Sequence, residues 1–456
     1  MSYASPVRID PLLALILCAG GGTRMKSRLP KVMHTLGGLP LVGHVLEAIK
    51  TLPVTDKACV ISPNMQEVKD FVVPVQCYVQ KEAKGTAHAV LAAEPFFEKV
   101  AQGSLLVLFG DTPLITSETI KQLLDHHKSS QAALTILGME VAPPNQYGRL
   151  VLDKEGNCTH IIEAKDATEA ELRIPLCNSG LMVIDLAAAM SLLKEVRCQN
   201  ASGEYLLTDC VNIAFQKGLK ISVFKAVEEE VLGINTQEDL AYAEEIFQRR
   251  ARKEALRQGV HLQDPSSVYF SYDTALGRDV FIEPHVYFGP SVRIEDGVRI
   301  RSFSYLEGAL VGKNSIIGPF ARLRPGSELF ENVRVGNFVE IKKSTLSKGV
   351  KVNHLAYVGD AFVGPDANIG AGTITCNYDG ISKHATEIGE GAFIGSNTAL
   401  VAPVRIGKGA LIGAGSVITE DVAEGAIAVA RSTQKQILEG AKRFQQRARK
   451  LRKDEI

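Results

Sequence analysis

The sequence predicts an α/β domain with a mostly parallel sheet, then a connecting helix, then a parallel β-helix. In the first half, short apolar runs alternate with stretches of helical pattern, which is typical of α/β domains. Residues 236–258 contain neither glycine nor proline, and from about residue 264 apolar residues recur at every sixth position. The predicted divisions are 1–235 for the first domain, 236–258 for the linker helix, 259–424 for the β-helix and 425–456 for a tail with a basic helix.

Strands of the first domain are expected where the apolar runs occur. These runs are residues 12–17, 58–61, 105–109, 133–137 and 181–184. In a parallel sheet, ligands bind beyond the carboxyl ends of the strands. The glycine-rich segment after the first run and the pair Gly110-Asp111 after the third are therefore expected to meet at one edge of the sheet.

The six-residue repeat predicts a triangular coil of about eighteen residues, built from three hexapeptides. Each apolar residue points inward and stacks on its counterpart one coil later. Three registers carry the pattern: Ile282, Phe288, Ile294, Ile300 and Leu306; Val311, Ile317, Leu323, Leu329, Val335 and Ile341; Ile388, Ile394, Leu400, Ile406, Ile412 and Ile418. The repeat breaks at 346–354 and at 374–386, where we expect loops that leave the coil and carry binding residues.

Two further segments show helical patterns. Residues 236–258 carry apolar side chains at Leu240, Ala243 and Phe247, which fits either a solvated rod or a helix packed on the first domain. Residues 434–453 are basic. They suit a cap on the last coil, a contact with a neighbouring subunit or a frayed end, and the sequence leaves these alternatives open.

Composition excludes several classes of protein. The 456 residues include 51 basic and 51 acidic side chains, so there is no general electrostatic attraction to nucleic acid or to a membrane. Apolar runs stay well short of the roughly twenty residues that cross a bilayer, and the N-terminus lacks a signal-peptide pattern. We therefore expect a cytoplasmic protein. The eight cysteines show no CxxC spacing, which argues against zinc and against a disulfide framework.

A glycine-rich loop follows the first predicted strand. It reads Leu-Cys-Ala-Gly-Gly-Gly over residues 17–22 and is followed by Arg24 and the pair Pro30-Lys31. Glycines let backbone N–H groups approach phosphate oxygens, and the two cations neutralise phosphate charge. The loop lacks the Gly-Lys-Ser/Thr of a Walker loop and the acidic residue that follows in dinucleotide-binding folds. It resembles instead the signature of sugar nucleotidyltransferases.

The β-helix carries residues that suit acyl transfer. They lie in four segments: 324–326 (Arg-Pro-Gly), 337–343 (Asn-Phe-Val-Glu-Ile-Lys-Lys), 354–360 (His-Leu-Ala-Tyr-Val-Gly-Asp) and 377–380 (Asn-Tyr-Asp-Gly). Together with the glycine loop, they make nearly the whole chain after residue 10 resemble one family. This is the family of bacterial bifunctional N-acetylglucosamine-1-phosphate uridyltransferases and glucosamine-1-phosphate N-acetyltransferases.

The resemblance implies a Rossmann-like nucleotidyltransferase domain, a left-handed β-helix of hexapeptide repeats and a homotrimer. It implies an enzyme that acetylates glucosamine 1-phosphate from acetyl-CoA. The same enzyme then transfers UMP from UTP to N-acetylglucosamine 1-phosphate with Mg²⁺, releasing pyrophosphate. The product, UDP-N-acetylglucosamine, supplies cell-wall precursors. These small molecules are the expected partners, with no nucleic acid and no membrane span.

Site residues of the first domain follow from the resemblance. Arg24 assists the departing pyrophosphate, and Asp111 and Asn235 are the magnesium ligands. The substrate-binding positions are Leu17, Ala19, Gly20 and Lys31 at the phosphates, Gln80, Gly85 and Thr86 at the uracil, Phe109 and Gly110 beside Asp111, and Gly148, Glu163 and Asn178 at the amino sugar. Two departures reduce charge near the triphosphate: Gly21 stands where the family often has lysine, and Leu232 where an acidic residue is common.

Site residues of the β-helix follow in the same way. His354 is the expected general base, because the amine of glucosamine 1-phosphate must lose a proton and an imidazole titrates near neutrality. Glu340 is expected to orient or polarise that imidazole. The sugar phosphate and sugar are assigned to Arg324, Lys342, Tyr357, Asn368, Asn377, Tyr378 and Lys383, and the acetyl-CoA groove to Ala371, Asn377, Tyr378, Ser396, Ala414 and Arg431.

Two other hypotheses remain at this point. One is a nucleotidyltransferase with a single activity whose β-helix only assembles the oligomer, as in ADP-glucose pyrophosphorylases. The other is a scaffold subunit without activity, resembling an exchange factor. A purely structural solenoid has no need for His354 beside Lys342 and the loop at 377–380, and a scaffold would not need Asp111.

Overall fold

A computed structural model of the chain describes residues 10–98 and 100–454. The chain divides into two compact units between Lys253 and Glu254. Within the described residues, no helix is both long enough and apolar enough to span a membrane.

The first unit is built on a mixed sheet with helices on both faces. Its strands are β1 (Leu12–Leu17), β2 (Thr35–Leu36), β3 (Leu39–Pro40), β4 (Asp56–Ile61), β5 (Gln76–Val79), β6 (Ser104–Phe109), β7 (Leu134–Glu140), β8 (Arg149–Leu152), β9 (Cys158–Ile162), β10 (Leu176–Asp185) and β11 (Ile221–Ala226). Its helices are α1 (Leu41–Ile49), α2 (Gln66–Phe71), α3 (Thr86–Ala92), α4 (Glu94–Phe97), α5 (Ser117–Ser130), α6 (Leu186–Leu193), α7 (Asp209–Gln216) and α8 (Gln237–Arg257), which runs past the division.

The main path of this sheet has the order β11-β7-β10-β6-β1-β4-β5. Strands β6, β1, β4 and β5 run parallel, whereas β10 is antiparallel to both β6 and β7. Residues of β1 are buried on both faces: Leu13 and Leu15 belong to one apolar core, and Ala14 and Ile16 to the other. The continuous apolar run at 12–17 arises because helices cover both faces. The predicted strand at 181–184 lies within β10, but its antiparallel direction was not predicted. The β8–β9 hairpin was not predicted either.

Helix α8 packs on the first unit through its N-terminal half. Ala243 and Ile246 are fully buried in a small core with Met25 and Leu36. The Arg250 guanidinium donates to the backbone carbonyl of Leu114 at 2.8 Å. Of the two interpretations left open by the sequence, the packed helix is therefore correct for this half.

The second unit is a parallel β-helix with three faces. The first face comprises β12 (His261–Leu262), β14 (Phe281–Ile282), β17 (Arg299–Ile300), β20 (Ile316–Ile317), β23 (Arg334–Asn337), β26 (Lys351–His354), β29 (Asn368–Ile369), β32 (Phe393–Ile394), β35 (Leu411–Ile412) and β37 (Ile427–Ala428). The second comprises β13 (Ala275–Leu276), β16 (Arg293–Ile294), β19 (Ala309–Val311), β22 (Ser327–Leu329), β25 (Ser344–Leu346), β28 (Ala361–Val363), β31 (Thr386–Ile388) and β34 (Val404–Ile406). The third comprises β15 (Tyr287–Phe288), β18 (Tyr305–Leu306), β21 (Arg322–Leu323), β24 (Glu340–Lys342), β27 (Tyr357–Gly359), β30 (Ile374–Cys376), β33 (Ala399–Val401) and β36 (Val417–Ile418).

The six-residue registers are confirmed. Ile282, Phe288 and Ile294 fall on the first, third and second faces in turn, and all three are buried. Each stacks on the residue one coil later, as Ile282 does on Ile300. Burial of these side chains stabilises the solenoid along its whole length, because every coil adds apolar residues to the same core.

One of the two expected interruptions is wrong. Leu346, Val352 and Val358 are buried and keep the spacing of six, so residues 346–354 form ordinary strands rather than a loop. The second interruption is confirmed, because the chain leaves the coil between Cys376 and Thr386. The tail ends in an exposed helix, α9 (Gly440–Asp454).

Candidate active sites

The glycine loop of the first unit is tied to the sheet at both sides. The backbone N–H of Cys18 donates to Val60 O at 2.8 Å, and that of Gly110 donates to Leu17 O at 3.0 Å. A Cβ at Gly20 or Gly21 would meet no heavy atom within 4 Å, so this stretch faces open space. At Gly22 φ is +58° and a Cβ would lie 2.7 Å from Lys31 Cβ. Glycine is required at residue 22 because Lys31 packs against the turn.

Four expected site residues converge beside this loop. The Lys31 ammonium pairs with Asp111 Oδ2 and donates to Asn235 Oδ1 at 3.1 Å. The Arg24 guanidinium donates to the same Asn235 oxygen at 3.0 Å. Arg24 and Asn235 are 211 residues apart in the chain. Two cations and two oxygen ligands therefore share one corner of the sheet edge.

Asn235 is held by the N-terminus of α8. Its backbone N–H and that of Thr236 both donate to Asp239 Oδ2 at 2.9 Å. The Asp239 N–H in turn donates to Thr236 Oγ1 at 3.1 Å, a reciprocal cap of the helix. Asp239 was not among the expected site residues, although Thr-x-x-Asp before an apolar helical pattern is a signal for such a cap.

The donor set at this corner suits Mg²⁺. Asp111 offers a carboxylate and Asn235 an amide oxygen, both hard ligands of the type that Mg²⁺ takes with phosphate oxygens and water. Among the described residues, no group of three or more His, Cys, Asp and Glu side chains could hold a metal ion. The protein alone therefore makes a partial shell, as is usual for magnesium that arrives with a nucleotide.

A cavity of about 300 Å³ adjoins the loop. Gln80 lines it and is only 5 % exposed. Its Nε2 donates to Gly85 O at 3.0 Å and to His88 Nδ1 at 3.1 Å, which fixes the amide plane. At Gly85 φ is +107° and a Cβ would lie 2.5 Å from Tyr205 O. Residues expected at the uracil and phosphates line the cavity together: Leu17, Ala19, Gly20, Lys31, Gln80, Gly85, Thr86, Phe109 and Asp111.

A second, wider cavity of about 880 Å³ contains Gly148, Glu163 and Asn178. Phe109 and Thr86 line both cavities, so the two adjoin. The Thr208 hydroxyl donates to Glu163 Oε1 at 3.1 Å, and Asn178 Oδ1 accepts from the Gly180 N–H at 3.0 Å.

Carboxylates crowd the wall of this second cavity. Burial raises the pKa of Glu163. Burial, together with the charges of Glu163 and Asp166, raises the pKa of Asp209 to about 6. Asp209 begins α7 directly after Thr208. Thr208, which lines the cavity, was not expected as a site residue, and nothing local in the sequence marks it.

Cationic side chains gather around Asp360 in the second unit. Lys342 Nζ lies 3.4 Å from Asp360 Oδ2, Lys343 Nζ lies 3.7 Å from Oδ1, and the Asn377 amide donates to Oδ2. The Lys342 ammonium is the main cause that lowers the pKa of Lys383. Two lysines held this close make a site for a dianion such as a phosphate monoester.

His354 is exposed, and its ring is oriented by the neighbouring coil. Nδ1 donates to Asn337 Oδ1 at 2.9 Å, and the two residues stand opposite each other in paired strands. Because an amide oxygen only accepts, Nε2 carries the free lone pair. Glu340 was expected to orient this imidazole. Its carboxylate instead accepts from Arg324 at 2.8 Å, so the orienting contact belongs to Asn337.

Four of the expected acetyl-CoA residues lie along one corner of the solenoid: Ala371, Ser396, Ala414 and Arg431. The other two, Asn377 and Tyr378, lie where the chain leaves the coil after β30. Each successive coil is joined to the last at this corner. The hydrogen bonds run from Gly372 N to His354 O (3.4 Å), from Asn397 N to Ala371 O (2.7 Å), from Gly415 N to Ser396 O (2.8 Å) and from the Arg431 guanidinium to Ala414 O (2.5 Å). His354 thus heads a row of small residues that ends at a cation. Asn368 lies on the first face, whereas Tyr357 lies on the third.

These geometries define a two-domain transferase, with a nucleotide-binding sheet and a hexapeptide solenoid. Residues 14–162 match the MobA-like NTP transferase domain, and residues 385–420 match the bacterial transferase hexapeptide (six repeats). The fold class expected from the sequence is confirmed.

The chain belongs to the family of the bifunctional protein GlmU. It is 49 % identical over 446 residues to the bifunctional protein GlmU of Paramagnetospirillum magneticum, covering 97 % of this chain and 99 % of the relative. It is 48 % identical over 445 residues to that of Zymomonas mobilis, covering 96 % and 99 %. It is 50 % identical over 427 residues to the bifunctional protein GlmU of Azorhizobium caulinodans, covering 93 % of this chain and 95 % of the relative. The chain is accordingly a bifunctional transferase, as the resemblance implied.

Proposed function

We propose that residues 259–424 acetylate glucosamine 1-phosphate from acetyl-CoA and that residues 1–235 uridylate the product, giving UDP-N-acetylglucosamine. In the same proposal, residues 236–258 form the linker helix between the two domains and residues 425–456 form the C-terminal tail. The observation that supports the proposal is that each unit brings together its own group of the expected residues. Arg24, Lys31 and Asp111 meet in the first, and Lys342 and His354 belong to the second.

In the first site, UTP lies with its base in the 300 Å³ cavity and its phosphates at the glycine loop. The sugar phosphate enters from the 880 Å³ cavity, where Glu163 and Asn178 bind the sugar. A phosphate oxygen attacks the α-phosphorus, the bond from that phosphorus to the β-phosphate oxygen breaks, and pyrophosphate leaves. Arg24 and Lys31 neutralise the charge that develops on the pyrophosphate.

Mg²⁺ would be held by Asp111 and Asn235. When bound, it supplies charge neutralisation for the triphosphate. The chain's own contribution is the placement of reactants, since no side-chain nucleophile is needed.

In the second site, His354 Nε2 accepts the proton that the amine of glucosamine 1-phosphate releases as it attacks the thioester carbonyl. The nitrogen–carbon bond forms, the carbon–sulfur bond breaks, and coenzyme A leaves as its thiol after protonation. Asn337 keeps the productive tautomer by accepting from Nδ1 at 2.9 Å. Lys342, Lys383 and Arg324 bind the sugar phosphate, and the corner from Ala371 to Arg431 binds acetyl-CoA.

The remaining parts of the proposal are a homotrimer and a cytoplasmic location. The second site supports association, because it is open on one chain and is bordered by exposed apolar side chains. Phe320, Phe338 and Leu355 line a shallow depression next to Tyr357 and are 45 %, 56 % and 61 % exposed. UTP and acetyl-CoA are cytoplasmic metabolites, which supports the location.

Selective damage tests the division into two sites. His354→Ala is expected to lower acetylation by about 10²- to 10⁴-fold, the usual contribution of a general base, and to leave uridylation unchanged. Asp111→Ala is expected to do the reverse. His285→Ala is the matched control for the first variant, because His285 is another exposed histidine of the solenoid and its ring stacks on Phe303.

Coenzyme A release and pyrophosphate release are measured on each preparation. Loss of both activities from either substitution would contradict separate sites. Wild-type enzyme that releases pyrophosphate but no coenzyme A would favour the single-activity alternative.

A further inference from the structure

The chain that leaves the coil after β30 is a small ordered hairpin, residues 377–384. Tyr378 and Lys383 pair as an antiparallel bridge. The backbone N–H of His384 donates to Asn377 O at 2.8 Å, which closes the base. Ile381 at the tip is 92 % exposed. Since the tip has no apolar packing, polar contacts must fix the shape of the hairpin.

Asp379 supplies these contacts from inside the hairpin. Its Oδ1 accepts from the N–H groups of Ile381 at 2.8 Å and Ser382 at 2.6 Å. Its Oδ2 accepts from His384 Nε2 at 2.7 Å. The Ser382 N–H and the His384 ring hold the pKa of Asp379 well below its usual range, so the carboxylate is ionised at neutral pH. One side chain therefore joins both strands and the tip.

The hairpin carries Lys383 to the cationic group around Asp360. Asn377 at the base donates to Asp360, which also faces Lys342. Lys342 lowers the pKa of Lys383, and the Asp360 carboxylate acts against that shift, so both groups act on Lys383. Two ammonium groups repel, so an unbraced loop would swing Lys383 into solvent. Something must hold it there before a dianion binds.

We propose that Asp379 and His384 are positioning residues that brace the hairpin, hold Lys383 beside Lys342 and so set the affinity of the second site for the phosphate of its amino sugar. This rests on the proposed function of that site. Neither residue touches the substrate; both act through Lys383. Pre-ordering the loop lowers the entropic cost of binding, so the effect falls on substrate binding more than on the chemical step.

The test measures KM and kcat for glucosamine 1-phosphate in coenzyme A release. Asp379→Ala removes all three contacts and is expected to raise KM about tenfold with kcat within about twofold. His384→Phe removes one contact and is expected to raise KM about threefold. Asp379→Asn keeps an acceptor for the two backbone N–H groups, so its rise in KM is expected to fall between those of His384→Phe and Asp379→Ala. Uridylation by the same samples should be unchanged.

Asp264→Ala is the matched control. Asp264 forms a similar local turn on the same unit, accepting from the Ser266 N–H at 3.1 Å and the Ser266 hydroxyl at 2.6 Å. This variant should leave KM unchanged. An equal rise in KM for Asp264→Ala would mean that any loosened turn perturbs the solenoid, and the brace would be refuted.

A double variant separates the brace from the site it serves. If Asp379 acts through Lys383, adding Asp379→Ala to Lys383→Ala changes KM by less than about twofold. If the double variant instead raises KM by the product of the two single effects, Asp379 does not act through Lys383 and the coupling is refuted. If Lys383→Ala raises KM and Asp379→Ala does not, the brace fails while the phosphate site stands. If Lys383→Ala has no effect on KM, the assignment of Lys383 in the proposed site fails, and the brace with it.

Discussion

The turn at Gly22 offers a sharp test of how the first site is assembled. Gly22→Ala adds one methyl group at a residue with φ of +58°, where it would meet Lys31 Cβ at 2.7 Å. Gly21→Ala adds the same group one residue earlier, where nothing lies within 4 Å and φ is unexceptional. The two variants therefore differ in two respects: the backbone conformation of the substituted residue, and whether the new methyl group presses on Lys31.

The expected magnitude comes from two terms. A non-glycine residue in the left-handed region costs about 1–2 kcal/mol. Relieving a 2.7 Å approach between two carbons requires a shift of about 1 Å, since such atoms normally sit about 3.5–4.0 Å apart. The shift falls on the backbone side of Lys31, so it carries the ammonium away from Asp111 and Asn235. A displacement of about 1 Å at a reacting site costs about 10²-fold in rate.

We therefore expect Gly22→Ala to lower kcat/KM for pyrophosphate release about 10²-fold, and Gly21→Ala to leave it within about twofold. Coenzyme A release by the same samples serves as the internal control for folding of the second unit. Equal activities of the two alanine variants would refute the reasoning, because the contact with Lys31 would then have no consequence.

Two other outcomes are expected in the first unit. Gly21→Lys restores a cation to a position with open space, and about 1 kcal/mol of added attraction should lower KM for UTP about fivefold, with the effect fading at high salt. Asp209→Asn should stabilise the unit at neutral pH. The pKa of Asp209 is raised to about 6 in the folded chain, so its ionised form is the disfavoured one. Because the Asp209 side chain is only half-buried, solvent screening reduces the expected gain in the free energy of unfolding to about 1 kcal/mol above pH 6. This gain vanishes as the pH falls below about 4, where the carboxyl group is protonated in both the folded and the unfolded chain. Thermal midpoints of the variant and the wild type across this pH range would show a constant difference if the reasoning is wrong.

The sequence predicted the solenoid better than the sheet, for a physical reason. Each coil buries its apolar residues in the same way. The spacing of residues such as Ile300 and Ile317 in the sequence is therefore enough to predict that they stack in neighbouring coils. The sheet has no such repeat. Its strand β10 runs antiparallel between β6 and β7, and no local pattern distinguishes an antiparallel strand buried on both faces from a parallel one. The expected interruption at 346–354 is absent because Leu346 starts a new register of buried residues. A change of register breaks the six-residue spacing in the sequence without any loop leaving the coil.

Side-chain partners were harder to predict than side-chain identities. His354 and Glu340 are near in sequence and chemically suited, which favoured a contact between them. The contact that forms is with Asn337, since the coil brings residues 17 apart into register. The register places Glu340 opposite Arg322, yet its carboxylate accepts from Arg324, two residues further along the chain. Spacing by one coil, applied to the polar residues as it was to the apolar ones, would therefore have found the contact between His354 and Asn337 but not the one between Arg324 and Glu340.

The two proposed sites depend on the fold in different ways, and this is why we expect that they can be damaged separately. In the first unit, Arg24, Lys31 and Asn235 come from opposite ends of the domain, at separations of 204 and 211 residues, so the site exists only when the whole sheet has formed. In the second, Asn337, His354 and Ala371 follow one another coil by coil, and the site requires only that these neighbouring coils stack. The geometry of Lys31 and Asp111 is set by strands and helices of the first unit, so we expect a local change in one coil of the second unit to leave it unchanged.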